Sequence, residues 1–172
     1  DSYEGPRDAL GRPHGYGRAI YDEGSSYEGH FVKGLRHGTG VLTSPDGDKF
    51  DGAWVLDVKS GHGKYTFADG DTYEGDYADD QFDGRGVYTY SDGAQYDGEW
   101  RQGERHGKGF YFYPGGRFEV GAYRGGEPHG VAILWNADLL SAWKMMNGEL
   151  EGNIDVETAR DLCEGMGLPL PS

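Results

Sequence analysis

The chain is short of the residues that most catalytic, nucleic-acid-binding and membrane proteins rely on. It has one cysteine, Cys163, which excludes an internal disulfide and makes a reducing, intracellular setting the default. Lys and Arg total 16 against 30 Asp and Glu, a net charge of −14. Clustered cations of the kind that DNA and RNA phosphates require are therefore missing, and no nucleic-acid partner is expected. The same shortage disfavours attachment to anionic lipid, which stays as an alternative only. No apolar run reaches the roughly 18 residues of a transmembrane helix, and no signal peptide is visible. Proline is limited to 7 residues, and with no Gly-X-Y period a collagen-like chain is excluded. The chain opens at Asp1 without a methionine, which fits a segment excised from a longer protein.

What is abundant is glycine, 32 of 172 residues, together with 4 Trp, 13 Tyr and 7 Phe. Both recur in phase, so disorder is a poor reading. Turn glycines fall at Gly24, Gly47, Gly70, Gly93 and Gly116, 23 residues apart. A second series, Gly15, Gly38, Gly61, Gly84, Gly107 and Gly130, keeps the same step. Blocks begin Tyr27-Glu28-Gly29, Phe50-Asp51-Gly52, Tyr73-Glu74-Gly75 and Tyr96-Asp97-Gly98. A fixed period of this size signals a quasi-one-dimensional repeat protein, in which function lies along a surface.

Within one block, Tyr73, Gly75 and Tyr77 alternate with Glu74 and Asp76, the period of two that marks a strand with one aromatic face. Asp79 to Gly84 supplies turn chemistry, and Arg85-Gly86-Val87-Tyr88-Thr89-Tyr90 is a second alternating run. Asp92-Gly93 closes it as a tight turn with positive φ. Each block thus predicts a β-hairpin, and consecutive antiparallel pairing predicts one meandering sheet of roughly 12 strands, on the order of 55 Å long. Gly75 and Gly86 leave room for aromatic rings to lie across the strands. The mid-block aromatic slot reads Phe31, Trp54, Tyr77, Trp100 and Tyr123, a stripe open to two readings, core packing and groove wall.

These residues resemble the MORN (membrane occupation and recognition nexus) repeat family, whose pattern is Tyr-Glu-Gly-x-Trp, a turn, and Gly-x-x-x-Gly-x-Gly. Residues Tyr96-Asp97-Gly98-Glu99-Trp100 through Arg105-His106-Gly107-Lys108-Gly109 follow it closely. Five good copies and one weaker copy cover residues 1–136, leaving 137–172 as a degenerate repeat plus a helical cap. The resemblance implies an all-β repeat: an elongated, curved single antiparallel sheet of consecutive β-hairpins with no catalytic activity. It also implies a scaffold in cytoskeletal, ciliary or membrane-junction assemblies, or a regulatory module of a larger enzyme. Departures occur at both ends. Arg7 takes the aromatic slot of the first block, Glu119 stands where Tyr is expected in the last, and Ala132 replaces a glycine there. A local bulge or altered exposure is expected around Glu119.

At the C-terminus, Asp155 reads as an N-cap, and Val156, Ala159, Leu162, Cys163 and Met166 form one apolar stripe of a short helix. Covering the edge of the last strand is one role for it; docking into a partner through Val156, Ala159, Leu162 and Met166 is the other. His14, His37, His106 and His129 share one repeat slot. Successive copies would lie roughly 10 Å apart, whereas ligands of one ion lie about 2 Å from it. Turn or edge hydrogen bonding is expected of them, and no metal or cofactor. Glu4, Glu28, Asp51, Glu74 and Asp97 point away from the aromatic face as a solvated stripe. No nucleophile motif or phosphate loop appears. The expected function is a non-catalytic, cytoplasmic scaffold that grips an extended segment or helix of another protein. Trp54, Tyr65, Phe67, Tyr77, Tyr88, Tyr90, Trp100, Tyr111 and Tyr113 are its candidate groove, and pairing of open sheet ends offers a homodimer.

Overall fold

A computed structural model describes residues 1–168 and 170. Among the described residues fifteen antiparallel strands follow one another in chain order, apart from a short side strand, and one helix comes after them. The chain divides into two compact units at Phe82/Asp83. The first contains β1 (Ser2–Glu4), β2 (Gly15–Ile20), β3 (Ser26–Val32), β4 (Leu35–Thr43), β5 (Lys49–Val55), β6 (Val58–Thr66) and β7 (Thr72–Ala78). Strand β8 (Gln81–Thr89) begins in the first unit and runs into the second. The second continues with β9 (Gln95–Arg101), β10 (Glu104–Phe112), β11 (Phe118–Arg124), β12 (Glu127–Pro128), β13 (Val131–Trp135), β14 (Ala142–Met146), β15 (Glu149–Ile154) and α1 (Val156–Gly165). Strand β12 pairs only with β11.

Two devices repeat in every block. The hairpin tips are two-residue turns with both φ angles positive, as at Leu56 (48°) and Asp57 (72°) or Gln102 (50°) and Gly103 (82°). That is the type I′ geometry whose twist matches the flanking strands. Just beyond each tip the register shifts, between Gly29 and Phe31 on β3, Gly52 and Trp54 on β5, and Arg105 and Gly109 on β10. The glycines of the second periodic series lie at these bulges with positive φ, for example 77° at Gly38 and 94° at Gly61. The shift sets Arg36 opposite Phe31, Lys59 opposite Trp54 and Arg105 opposite Trp100.

A single-layer sheet would be expected to leave one face of aromatic rings in water, yet Tyr27, Phe31, Phe50, Trp54, Tyr73, Tyr77, Tyr96, Trp100 and Tyr123 are all buried. The paired glycines explain it. Gly52 faces Gly63 and Gly98 faces Gly109 across neighbouring strands, and the Phe50 and Tyr96 rings lie flat over those pairs. A Cβ added at Gly63 would come within 2.5 Å of the Phe50 ring, and one at Gly98 or Gly109 within 2.6 Å of Tyr96. Each ring then meets the next edge-on, as in Phe50–Trp54 at 5.2 Å and Tyr96–Tyr123 at 5.1 Å, contacts worth about 0.5–1.5 kcal/mol each beyond burial. Most of the polar tips are satisfied locally, the Tyr77 hydroxyl being an exception. The Tyr73 and Tyr96 hydroxyls donate to the carbonyls of Asp76 and Glu99, and the Trp54 and Trp100 indoles donate to Gly40 and Gly86.

The second unit also buries its opposite face. Phe118 and Val120 of β11 pair with Trp135 and Ile133 of β13, and these pack with Ala142, Ala159, Cys163 and Leu168 into one cluster. Asp155 caps α1 by accepting from the Thr158 amide at 2.9 Å. The helix contacts β13 and β14, so it lies on a sheet face, whereas the sequence suggested a cover along the last strand's edge. Ala159 is fully buried in that cluster, and Val156, Leu162 and Met166 pack half-buried against it. An apolar sheet face next to a helical stripe closes on that stripe because both surfaces leave water together.

Candidate binding surface

The nine candidate groove aromatics separate into two tiers. Trp54, Tyr77 and Trp100 are 2%, 4% and 7% exposed, so they form the floor beneath the surface. Their slot pairs with the bulged strand, Trp54 with Lys59 and Trp100 with Arg105. Tyr65, Phe67, Tyr88, Tyr90, Tyr111 and Tyr113 are half-buried and present ring surface to solvent. In the first unit Tyr65 and Phe67 lie 4.5 Å apart, and the Tyr65 hydroxyl donates to Asp48 at 2.7 Å. In the second, Tyr88–Tyr90, Tyr90–Tyr111 and Tyr111–Tyr113 follow at 4.7, 6.1 and 4.8 Å. They form a ladder of four tyrosines on the ends of β8 and β10 and the turns after them.

A repeat slot that sequence reasoning had not singled out covers the floor: Arg36, Lys59, Phe82 and Arg105, spaced by 23. Arg36 lies over Trp54 at 4.3 Å, Lys59 over Phe50 at 5.3 Å, and Arg105 over Tyr123 at 4.7 Å. Phe82 does the same work as a ring, stacked on Tyr73 at 3.7 Å. A cation over an aromatic face is attracted by the ring quadrupole and seals it from water with its aliphatic stem. The 23-residue spacing of these positions was the available signal.

Beside the tyrosine ladder a concavity of ≈ 350 Å³ opens in the second unit. Tyr90, Arg105, Tyr111, Tyr113, Glu119 and Tyr123 line it, together with Pro128, Met145 and Gly148. Glu119 is only 5% exposed, and its carboxylate accepts from the Tyr113 hydroxyl at 3.2 Å. Burial raises its pKa above the usual 4.5, and the Tyr113 hydrogen bond and the Arg105 charge only oppose that shift. Tyr113 is pushed up to about 12 by its own burial and by the neighbouring carboxylate. Neither Glu119 nor Arg105 forms an ion pair within 4 Å among the described residues. The altered exposure expected at Glu119 takes the form of a buried acid.

The other sequence candidates fall into structural roles. His14 and His37 accept from the amides of Lys33 and Leu56 at the next hairpin tip, and Asp83 takes the same slot for Gln102. Among the described residues no three His, Cys, Asp or Glu side chains converge as metal ligands would. No helix there is long and apolar enough to cross a membrane.

A family model described as the MORN repeat matches residues 10–26, 27–49, 50–72, 73–95 and 96–116. The curated proteins contain no significant match. Among solved structures the chain is similar to the TCP domain of SAS-4 (dCPAP) from Drosophila melanogaster, solved with a proline-rich motif of Ana2 (dSTIL). Identity there is 12% and the TM-score 0.45, over 87% of each chain. The TCP10 domain of CPAP from Danio rerio is similar at 13% identity and a TM-score of 0.25, over 87% of this chain and 93% of that one. Its complex with a STIL peptide gives 12% and 0.21, over 90% and 99%. Likenesses this weak carry over neither a partner nor a site.

Proposed function

The chain belongs to the MORN repeat family, and from that premise we propose that it is a non-catalytic scaffold gripping a segment of another protein on its half-buried tyrosines. The observation that carries this reading is the ladder Tyr88, Tyr90, Tyr111 and Tyr113, whose rings stay partly open while the tier beneath them is sealed. Tyrosine offers large, stiff contact area with a polar tip and little conformational entropy to lose, which suits an extended segment or a helix laid across it. Tyr65 and Phe67 present the same kind of surface in the first unit. A cytoplasmic assembly of cytoskeletal, ciliary or junctional type is the proposed setting.

The test compares the intact chain with a Tyr88→Ser/Tyr90→Ser variant as baits in a native lysate. A specific protein held by the first and lost by the second, at unchanged thermal unfolding, supports the ladder. Equal retention by a folded variant sinks it. The Tyr88→Phe/Tyr90→Phe pair should keep most of the binding, because the ring faces supply most of the contact.

A further inference from the structure

Glu119 occupies the slot that holds Tyr27, Phe50, Tyr73 and Tyr96 in the preceding blocks. Those rings need two facing glycines as a bed, and here the pair would be Gly121 and Ala132. The Ala132 methyl fills the bed, 2.7 Å from where a Gly121 Cβ would stand. That accounts for the missing ring but not for the charge. A leucine would fill the same space without stripping water from a carboxylate, and a buried acid with one hydroxyl donor is costly. Arg105 shows the complementary deficit. In the first unit Arg36 donates to Asp57 at 2.9 Å, whereas the residue in the Asp57 slot beside Arg105 is Gly126, whose amide bonds the Arg105 carbonyl. One concavity therefore holds a carboxylate and a guanidinium that form no ion pair within 4 Å among the described residues, between tyrosine faces. Opposite charges that share an aromatic-walled cleft without closing an ion pair mark a ligand site.

We propose that this concavity receives one basic side chain of an extended partner segment, whose cation bonds Glu119 against the faces of Tyr90, Tyr111 and Tyr113. Arg105 donates to a main-chain carbonyl of the same segment. The assignment deepens the scaffold reading and rests on it. It makes use of both unpaired groups, which a bare cation or a bare anion would not. The chain's net charge of −14 favours the approach of a basic segment.

The probes are two short blocked peptides, Gly-Gly-Arg-Gly-Gly and Gly-Gly-Gln-Gly-Gly, with spermidine as a cation lacking a peptide backbone, each titrated into the intact chain and followed by amide NMR. The arginine peptide should give saturable shifts centred on Tyr111, Tyr113 and Glu119. The glutamine peptide should bind at least about tenfold more weakly, as expected for loss of a charge-assisted bond in a desolvated site. Glu119→Gln keeps the shape and should erase that preference with no loss of thermal stability; Arg105→Met should weaken both peptides alike. Equal titration by the two peptides, an undiminished preference in Glu119→Gln, or no saturable shift overturns the assignment. Spermidine binding as tightly as the arginine peptide overturns the peptide part of it. A lysate partner lost on Tyr88→Ser/Tyr90→Ser but held by Glu119→Gln leaves the scaffold standing and removes this pocket.

Discussion

Arg36 and Arg105 occupy one repeat slot, three blocks apart, in very different surroundings. Arg36 lies over Trp54 and bonds Asp57, which ties its hairpin to the tip of the next one. Arg105 also lies over rings, those of Tyr96, Tyr111 and Tyr123, but its repeat partner is a glycine, and the acid with which it shares a cleft is the buried Glu119. The flanks differ in the same sense. The first unit buries one face by its own rings and their cationic covers, while the second buries both faces of β11, one against the tyrosines and the other beneath α1. A repeat supplies equivalent backbone positions. Whether a position closes the structure or stays free to bind depends on a few substitutions around it.

The largest test of that contrast is Trp135→Ala, which empties the core between β13 and α1 and should cost about 4 kcal/mol. Hydrogen exchange should show protection lost across β11, β13 and α1 first; equal loss in β3 to β6 would mean that the two units do not differ in this way. Next come Gly63→Ala and Gly98→Ala, one in each unit. Their added methyls meet Phe50 and Tyr96, so each should lose about 2–3 kcal/mol in urea unfolding through overpacking. A neutral result in either unit would show that its ring is not held on a glycine bed.

Exchanging the two arginine environments should act more gently. Asp57→Ala removes a half-exposed ion pair and an acceptor for the Arg36 amide, a loss of about 1 kcal/mol. Gly126→Asp places an acid near Arg105 at a φ of 80°, close to the 72° that Asp57 itself adopts, and open space surrounds the position. It should leave stability within about 1 kcal/mol while weakening the arginine peptide, because Arg105 acquires an internal partner.

The smallest effect is a pH dependence. The pKa of Glu119 is raised by burial, so the folded state holds its proton more tightly than the unfolded chain does. The stability this confers is complete below the unfolded value near 4.5 and is lost as pH rises through the elevated folded value. Besides Tyr113 and Arg105, the groups that line its cleft are Tyr90, Tyr111 and Tyr123; tyrosine stays neutral across that range. Chemical denaturation of Glu119→Gln against the intact chain should therefore show a stability difference that grows from pH 4 upward and levels off once Glu119 is ionised. A constant difference would mean that Glu119 is not desolvated.

Much of this was legible in the chain. The 23-residue period, the alternation of Tyr73, Gly75 and Tyr77, and the Asp155 cap are statements about local backbone preference, and they survive into β7 and α1 unchanged. Harder to read was which aromatics stay open. Trp54 and Tyr65 are equally aromatic and lie on one face, but Trp54 has Lys59 across the bulge and Arg36 above it, while Tyr65 keeps ring surface in water. Glu119 stood out as a departure from the pattern, yet its burial depends on Tyr113 and Arg105 arriving from the neighbouring strand and turn.

By itself, then, the sequence determined the hairpins, their order and the face on which the rings gather, because turn chemistry and period-two alternation act within a few residues. The tertiary structure alone decided that the stripe would separate into a sealed floor and an open ladder, that α1 would cover a face, and that Arg105 and Glu119 would share a cleft unpaired. Burial and electrostatic pairing are set by what lies across a strand and above a ring, and those neighbours are distant along the chain.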